Sequence, residues 1–143
     1  MVTVVRGDVI LCDLNPMIGT EQAGVRPALV VQIDRANTVS PHTIIVPFTT
    51  RIRRAVLPSH ALIPAGVGGL THDSVVLCEQ IRVIDKRLII RVLGHMDDTY
   101  MEEVARALRT ILGLSKGSPG APAPRKTNPQ QRQGLSRTRV ETV

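Results

Sequence analysis

Ala28-Leu29-Val30-Val31-Gln32-Ile33 and Thr43-Ile44-Ile45-Val46-Pro47-Phe48-Thr49-Thr50 are the two runs on which the fold turns. Both are short, apolar and rich in β-branched side chains. Asp34 to Pro41, between them, reads as a polar loop. Runs this short, bounded by turn residues, fit buried strands rather than helices. On the N-terminal side, Val4 to Leu14 reads as a strand with a polar break at Arg6-Gly7-Asp8. Asn15 to Gly24 then reads as a loop, marked by Asn15-Pro16, Gly19 and Gly24. On the C-terminal side, Ser59 to Ile63 is a weaker strand and Pro64 to Asp73 a glycine-rich turn. Ser74 to Ile81 is a strong strand, and Leu88 to Leu93 a shorter one.

Helical spacing enters only near the end. Met101, Val104, Leu108 and Ile111 recur on one face, which predicts a helix packed on something apolar. Asp97 and Asp98 are its expected N-caps, Glu102 and Glu103 favour its positive end, and Gly113 is its expected stop. Short strands separated by turns and closed by one helix predict a mainly β chain, a small antiparallel barrel with a C-terminal α-helix.

Composition changes at Ser115. Residues 115–143 hold Pro119, Pro122, Pro124 and Pro129 among Gly, Gln and Arg, with almost no aliphatics. Such a segment cannot bury enough apolar surface to offset its ordering entropy, so it is expected to be a disordered tail behind a domain at 1–114. The charge divides the same way. Of the net +6, the tail supplies +5: Lys116, Arg125, Lys126, Arg132, Arg137 and Arg139 against Glu141. A basic tail suggests an anionic partner, usually nucleic acid, or a solubilising extension.

Phe48 and Tyr100 are the only aromatics, which weakens any reading that needs stacking platforms for bases. Cys12 and Cys78 lie far apart in apolar runs, as buried free thiols do in a reducing cytoplasm. Met1 to Arg6 does not read as a signal peptide, and no run approaches the length of a membrane span. No metal and no cofactor is expected. His42, His60, His72 and His95 fall in no ligand motif, and the serines lack a nucleophile elbow. A two-histidine acid–base site stays open in three dimensions. Gly66-Val67-Gly68-Gly69 lacks the Lys-Ser/Thr of a phosphate loop and reads as a plain turn.

Polar residues at strand ends remain. Arg26-Pro27 feeds the 28–33 run, Thr49-Thr50-Arg51 ends the 43–50 run, and Glu79-Gln80-Ile81-Arg82 ends the 74–81 run. If a small barrel gathers them on one face, Arg supplies bidentate phosphate contact and Thr a proton. Arg and Thr are also common at ordinary strand ends.

The sequence resembles the MazF/PemK toxin family. The likeness runs collinearly from Val4 to about Leu114. It is most specific in Gly19-Thr20-Glu21-Gln22-Ala23-Gly24-Val25-Arg26-Pro27 and in Glu79-Gln80-Ile81-Arg82-Val83-Ile84-Asp85-Lys86. It extends through Arg6-Gly7-Asp8-Val9, Asp13-Leu14-Asn15-Pro16, Asn37, Ser40-Pro41, Val46-Pro47-Phe48-Thr49 and Leu57-Pro58-Ser59-His60. The resemblance implies an SH3-like barrel assembled as a homodimer, with single-stranded RNA in a groove across it. It implies metal-independent, sequence-selective cleavage by the ribose 2′-hydroxyl, leaving a 2′,3′-cyclic phosphate and a 5′-hydroxyl. It also implies a cognate antitoxin whose tail occupies that groove. The family's catalytic Arg matches Arg26 and its catalytic Thr/Ser matches Thr49. Glu21 is a candidate for the 2′-hydroxyl proton, and Gln22, Arg51, Gln80 and Arg82 are candidate RNA contacts. Ala23 stands where the family usually has Gly, and Phe48 offers either a stacking face or a core side chain. Gyrase-poisoning toxins of the same fold, which bind protein and cut no RNA, form the rival class; an inactive RNA-binding relative is a third.

Overall fold

The computed structural model describes residues 2–14, 24–52 and 57–114. Glu21, Gln22, Ala23 and the tail at 115–143 lie outside the described residues. The elements are β1 (Asp8–Leu14), β2 (Gly24–Val30), α1 (Asp34–Val39), β3 (His42–Thr49), β4 (His60–Ile63), β5 (Ser74–Leu77), β6 (Arg82–Asp85), β7 (Ile89–His95) and α2 (Asp98–Leu112). Seven antiparallel strands form one sheet in the order β4-β5-β3-β2-β1-β7, with β6 also on β3. The expected barrel is open: among the described residues no ladder joins the outer strands β4 and β7.

β3 organises the sheet. On one edge it pairs with β2 at Val30↔Ile45, Leu29↔Val46 and Ala28↔Pro47. On its other edge it takes β6 from His42↔Asp85 to Ile45↔Arg82, then β5 at Phe48↔Val76 and Thr49↔Val75. Alternation along a strand sends successive side chains to opposite faces. One face carries Val9, Leu29, Val46, Phe48 and Val76 into a core covered by Val104 and Ala107 of α2. The other carries Ile10, Cys12, Ala28, Val30, Ile45 and Ile84 into a second, smaller core. Phe48 is therefore core, only 2% exposed, and not a stacking face.

Four sequence expectations need correction. β1 begins at Asp8, because the chain turns at Arg6-Gly7. Asp34–Val39 is a short helix, not a loop. Buried Asn37 holds it: its amide donates to Gln32 O and Asp34 Oδ1, and its Oδ1 accepts from Gln32 Nε2 and Thr43 Oγ1. Lys86 Nζ donates to the Asn37 carbonyl oxygen from β6's far end. The strand expected at 74–81 stops at Leu77; Cys78–Gln80 is a 3-10 turn that redirects the chain into β6. Asp97 stands at the N-cap of α2, yet its carboxylate makes no capping hydrogen bond. Gly113 ends the helix in the left-handed region as expected. The helix face is buried at Val104 but not at Ile111, and Leu112 and Leu114 are also exposed.

The glycine-rich turn is structural. A Cβ on Gly94 of β7 would lie 2.6 Å from the backbone of Gly68, so strand and turn touch backbone to backbone.

Burial pushes the Cys12 thiol up to about 11, against the pull of the nearby Arg82 guanidinium. It pushes Cys78 up to about 12, helped by Glu79. Neither thiol is solvent-exposed. The reactive species is the thiolate. Both cysteines are expected to resist an aromatic disulfide reagent at pH 8 in the native protein and to react once it is unfolded. Rapid native-state labelling of either would contradict this packing.

Candidate functional site

Two prolines end the β2–β3 ladder. Pro47 stands at its last rung, opposite Ala28, and Pro27 is the next residue beyond it; neither has an N–H to give. Beyond them, among the described residues, β3 pairs only with β5, and β2 only with β1. Continued two residues, the register that pairs Ala28 with Pro47 sets Arg26 against Thr49. Both share a sheet face with Ala28 and Ile45, at the mouth of the smaller core. Arg82, opposite Ile45, belongs to that face too.

The local chemistry fits an anion. Arg26 is half-buried, across from Cys12, whose thiol donates to the Arg26 carbonyl oxygen at 3.7 Å. Arg82 acts electrostatically on the same thiol. Arg82 Nη1 is buried and has no hydrogen-bond partner among the described residues. Thr49 is 9% exposed, and its Oγ1 accepts the Arg51 N–H at 3.2 Å. That bond fixes the hydroxyl oxygen while leaving its proton uncommitted among the described residues. The face thus offers two guanidiniums and one oriented O–H. Among the described residues no three His, Cys, Asp or Glu side chains group as metal ligands.

The other expected residues divide. Arg51 is exposed beside Thr49, and Gln80 is half-buried in the 3-10 turn before β6. Glu21 and Gln22 lie outside the described residues. Glu79, read with Gln80 and Arg82 as a strand-end group, is engaged elsewhere. Its carboxylate accepts from His60 Nε2 at 2.9 Å and from Ser59 Oγ at 3.4 Å. His60 Nδ1 accepts the Leu57 N–H at 3.3 Å, so the proton of the neutral ring sits on Nε2. This clip holds the chain entering β4 against the turn that carries Gln80. No spacing of residues signals it, because His60 and Glu79 are 19 residues apart. The histidines do not converge: His60 pairs with Glu79 and His95 with Asp8, while His72 bonds Thr71 and His42 is exposed on β3.

Comparison with known proteins identifies the family and matches the fold. The family model described as PemK-like, MazF-like toxin of type II toxin-antitoxin system matches residues 5–112. The Endoribonuclease EndoA of Bacillus subtilis (strain 168) is 47% identical over 111 residues, 78% of this chain and 96% of that protein. The crystal structure of MazF from Deinococcus radiodurans superposes with a TM-score of 0.68 at 28% identity, covering 80% of this chain and 100% of that one. A mycobacterial endoribonuclease in complex with its cognate antitoxin superposes with a TM-score of 0.66 at 26% identity, covering 78% and 97%. With both specific sequence blocks inside the matched span and the same architecture around them, the chain belongs to the PemK-like, MazF-like toxin family of type II toxin–antitoxin systems.

Proposed function

We propose that the protein is a sequence-selective endoribonuclease toxin that cuts single-stranded RNA, messenger RNA above all, without a metal ion. It acts in the cytoplasm and is neutralised by a cognate antitoxin. The observation that carries this is the Thr49 hydroxyl, whose oxygen is fixed by the Arg51 N–H and whose proton is uncommitted among the described residues, on the sheet face that Arg26 shares when the β2–β3 register is continued. The endoribonuclease name of the Bacillus relative supports it, and so does the antitoxin complex of the mycobacterial one.

In this reading the ribose 2′-oxygen attacks the adjacent phosphorus. The new P–O2′ bond forms as the P–O5′ bond breaks, giving a 2′,3′-cyclic phosphate and a 5′-hydroxyl. Negative charge grows on the phosphoryl oxygens, and Arg26 stabilises it where water is partly excluded. Arginine stays protonated at working pH, so it is not the base. Thr49 donates its proton to a phosphoryl oxygen or toward the departing 5′-oxygen. Glu21, three residues before β2 begins, is assigned the 2′-hydroxyl proton. Arg51, Arg82, Gln22 and Gln80 hold the flanking chain. The basic residues at 115–143 attract RNA without reading its sequence.

Pure protein in EDTA is expected to fragment a long single-stranded RNA at a few sites and to spare the matching duplex. Cleavage that appears only with divalent ions would count against the mechanism. A protein that leaves RNA intact but traps gyrase on cut DNA belongs to the rival class.

The same reading makes the toxin a homodimer. An open apolar groove of about 430 Å³ runs between α1 and the end of α2, lined by Ile33, Ala36, Ile81, Leu108, Leu112 and Leu114. Ile33, Leu112 and Leu114 are each about half exposed or more. Residues 1–114 are expected to scatter light as a dimer at micromolar concentration, and Leu112→Glu as a monomer. A wild-type monomer under those conditions would contradict the pairing.

A further inference from the structure

Between the N-terminal segment and α1 lies a cavity of about 410 Å³ that the mechanism does not use. Val2 and Val4 form one wall, Asp34, Asn37 and Thr38 of α1 another, and Lys86 lines it as well. Val4, Asn37 and Lys86 are buried, while Asp34 and Thr38 are exposed, so the cavity is a cup with a polar mouth. The Lys86 N–H donates to the carbonyl oxygen of Pro41, just before β3 begins, whereas Thr49 ends that strand. The cup and the Arg26–Thr49 face therefore stand at opposite ends of β3.

Lys86 is only 6% exposed. An ammonium has three N–H groups. One donates to the Asn37 carbonyl oxygen, and no other hydrogen bond or ion pair engages Nζ among the described residues. The nearby acceptors are taken. The Asn37 side chain is spent on Gln32, Asp34 and Thr43. The Asp85 carboxylate holds Arg87 at 2.9 Å. Asp34 Oδ1 accepts the Arg6 N–H at 2.6 Å and the Asn37 amide at 3.2 Å. A buried charge is normally paired, because desolvation costs far more than one neutral hydrogen bond returns. The Lys86 ammonium has no such pairing within the described residues, and it stands beside a cavity open to solvent.

We infer that this cavity binds a small monocarboxylate carried on a short aliphatic chain. A carboxylate offers lone pairs for the two remaining N–H groups and also balances the charge, which a neutral ligand does not. Asp34 lines the same cavity, so a second negative charge on the ligand would be repelled; that disfavours phosphate and sulfate. The valine wall takes the aliphatic body. The volume falls in the usual small-molecule range of roughly 300–1,000 Å³. The occupant ties the N-terminal segment to α1. The site does not rest on the nuclease reading, since none of its residues belongs to the Arg26–Thr49 face.

The test is calorimetric titration of the full chain with sodium isovalerate, with isovaleramide as its uncharged counterpart, and with sodium phosphate and sulfate. Two variants are titrated beside wild type: Thr38→Trp, which fills the cup from an exposed position, and Lys86→Met, which removes the charge. Isovalerate is expected to bind one site with a Kd on the order of 1 mM. The amide and both inorganic anions are expected to bind at least ~10-fold more weakly, and each variant to lose isovalerate binding by a similar factor, the usual loss for one hydrogen bond to a charged group. Where Lys86→Met fails to melt cooperatively, the amide and Thr38→Trp decide. No saturable binding of isovalerate, an amide that binds as tightly as the acid, inorganic anions that bind as tightly, or a folded Thr38→Trp with unchanged affinity would each overturn the site.

Discussion

Arg26→Ala is expected to lower RNA cleavage by at least ~100-fold, the usual loss for one donor to transition-state charge, while the protein melts as wild type does. Arg26 is half-buried at the end of the β2–β3 ladder, where its removal opens no core cavity. The loss should fall on kcat, because the charge Arg26 meets is greatest in the transition state. Arg26→Lys should recover only part of the rate, since a lysine keeps the charge but not the two-pronged contact. Thr49→Ala should be damaging as well. Thr50→Ala should be milder in kcat, because adjacent strand residues face opposite sides. Single-turnover cleavage by melting-matched variants measures all of this. A critical Thr50 beside a dispensable Thr49 would show that the catalytic hydroxyl lies on the other face.

Phe48→Ala is expected to destabilise the fold by about 3–5 kcal/mol, the usual cost of emptying a core phenylalanine site. Phe48 is among the largest fully enclosed side chains, pairs with Val76 and faces the core under α2. A loss that size consumes much of a small domain's stability of about 5–15 kcal/mol. Phe48→Leu should keep cleavage and most of the stability, which a base-stacking role would not allow. Urea unfolding decides the matter. A cost below about 1 kcal/mol, combined with a cleavage defect in Phe48→Leu, would return Phe48 to the RNA.

Much of this was legible in the residues, and the misses have physical causes. β3 was plain because β-branched apolar residues fill it. The Ser74–Ile81 run looked like one strand because an apolar run does not show where its partner changes. Cys78–Gln80 turns there, so β5 and β6 pair with different parts of β3. β6 itself is only four residues, half of them polar. α1 was hidden because Asp34, Asn37 and Thr38 are turn formers by local preference. Its bonds reach outside the helix, to Thr43 six residues beyond Asn37 and to Lys86 far along the chain.

At the site, the resemblance singled out Arg26 and Thr49, but whether they share a sheet face depends on a register no local pattern encodes. The prolines that open the site were visible as Arg26-Pro27 and Pro47-Phe48; that they end the same ladder was not. Glu79 shows the opposite error. It reads as part of a polar strand end with Gln80 and Arg82, yet His60, 19 residues away, holds its carboxylate. Glu79→Gln should therefore act through the position of Gln80 and not through proton transfer.

If Arg26 and Thr49 drive 2′-hydroxyl attack without a metal, the cut ends carry its signature. The most direct measurement is the chemistry of the new ends. Wild-type protein and a long single-stranded RNA are incubated in EDTA, and the fragments are offered to a polynucleotide kinase with labelled ATP. Expected are 5′-hydroxyl ends that accept label without prior phosphatase treatment, 3′ ends closed as 2′,3′-cyclic phosphates, and neither with Arg26→Ala. Fragments that carry 5′-phosphates, or that form only when a divalent ion is restored, would contradict it.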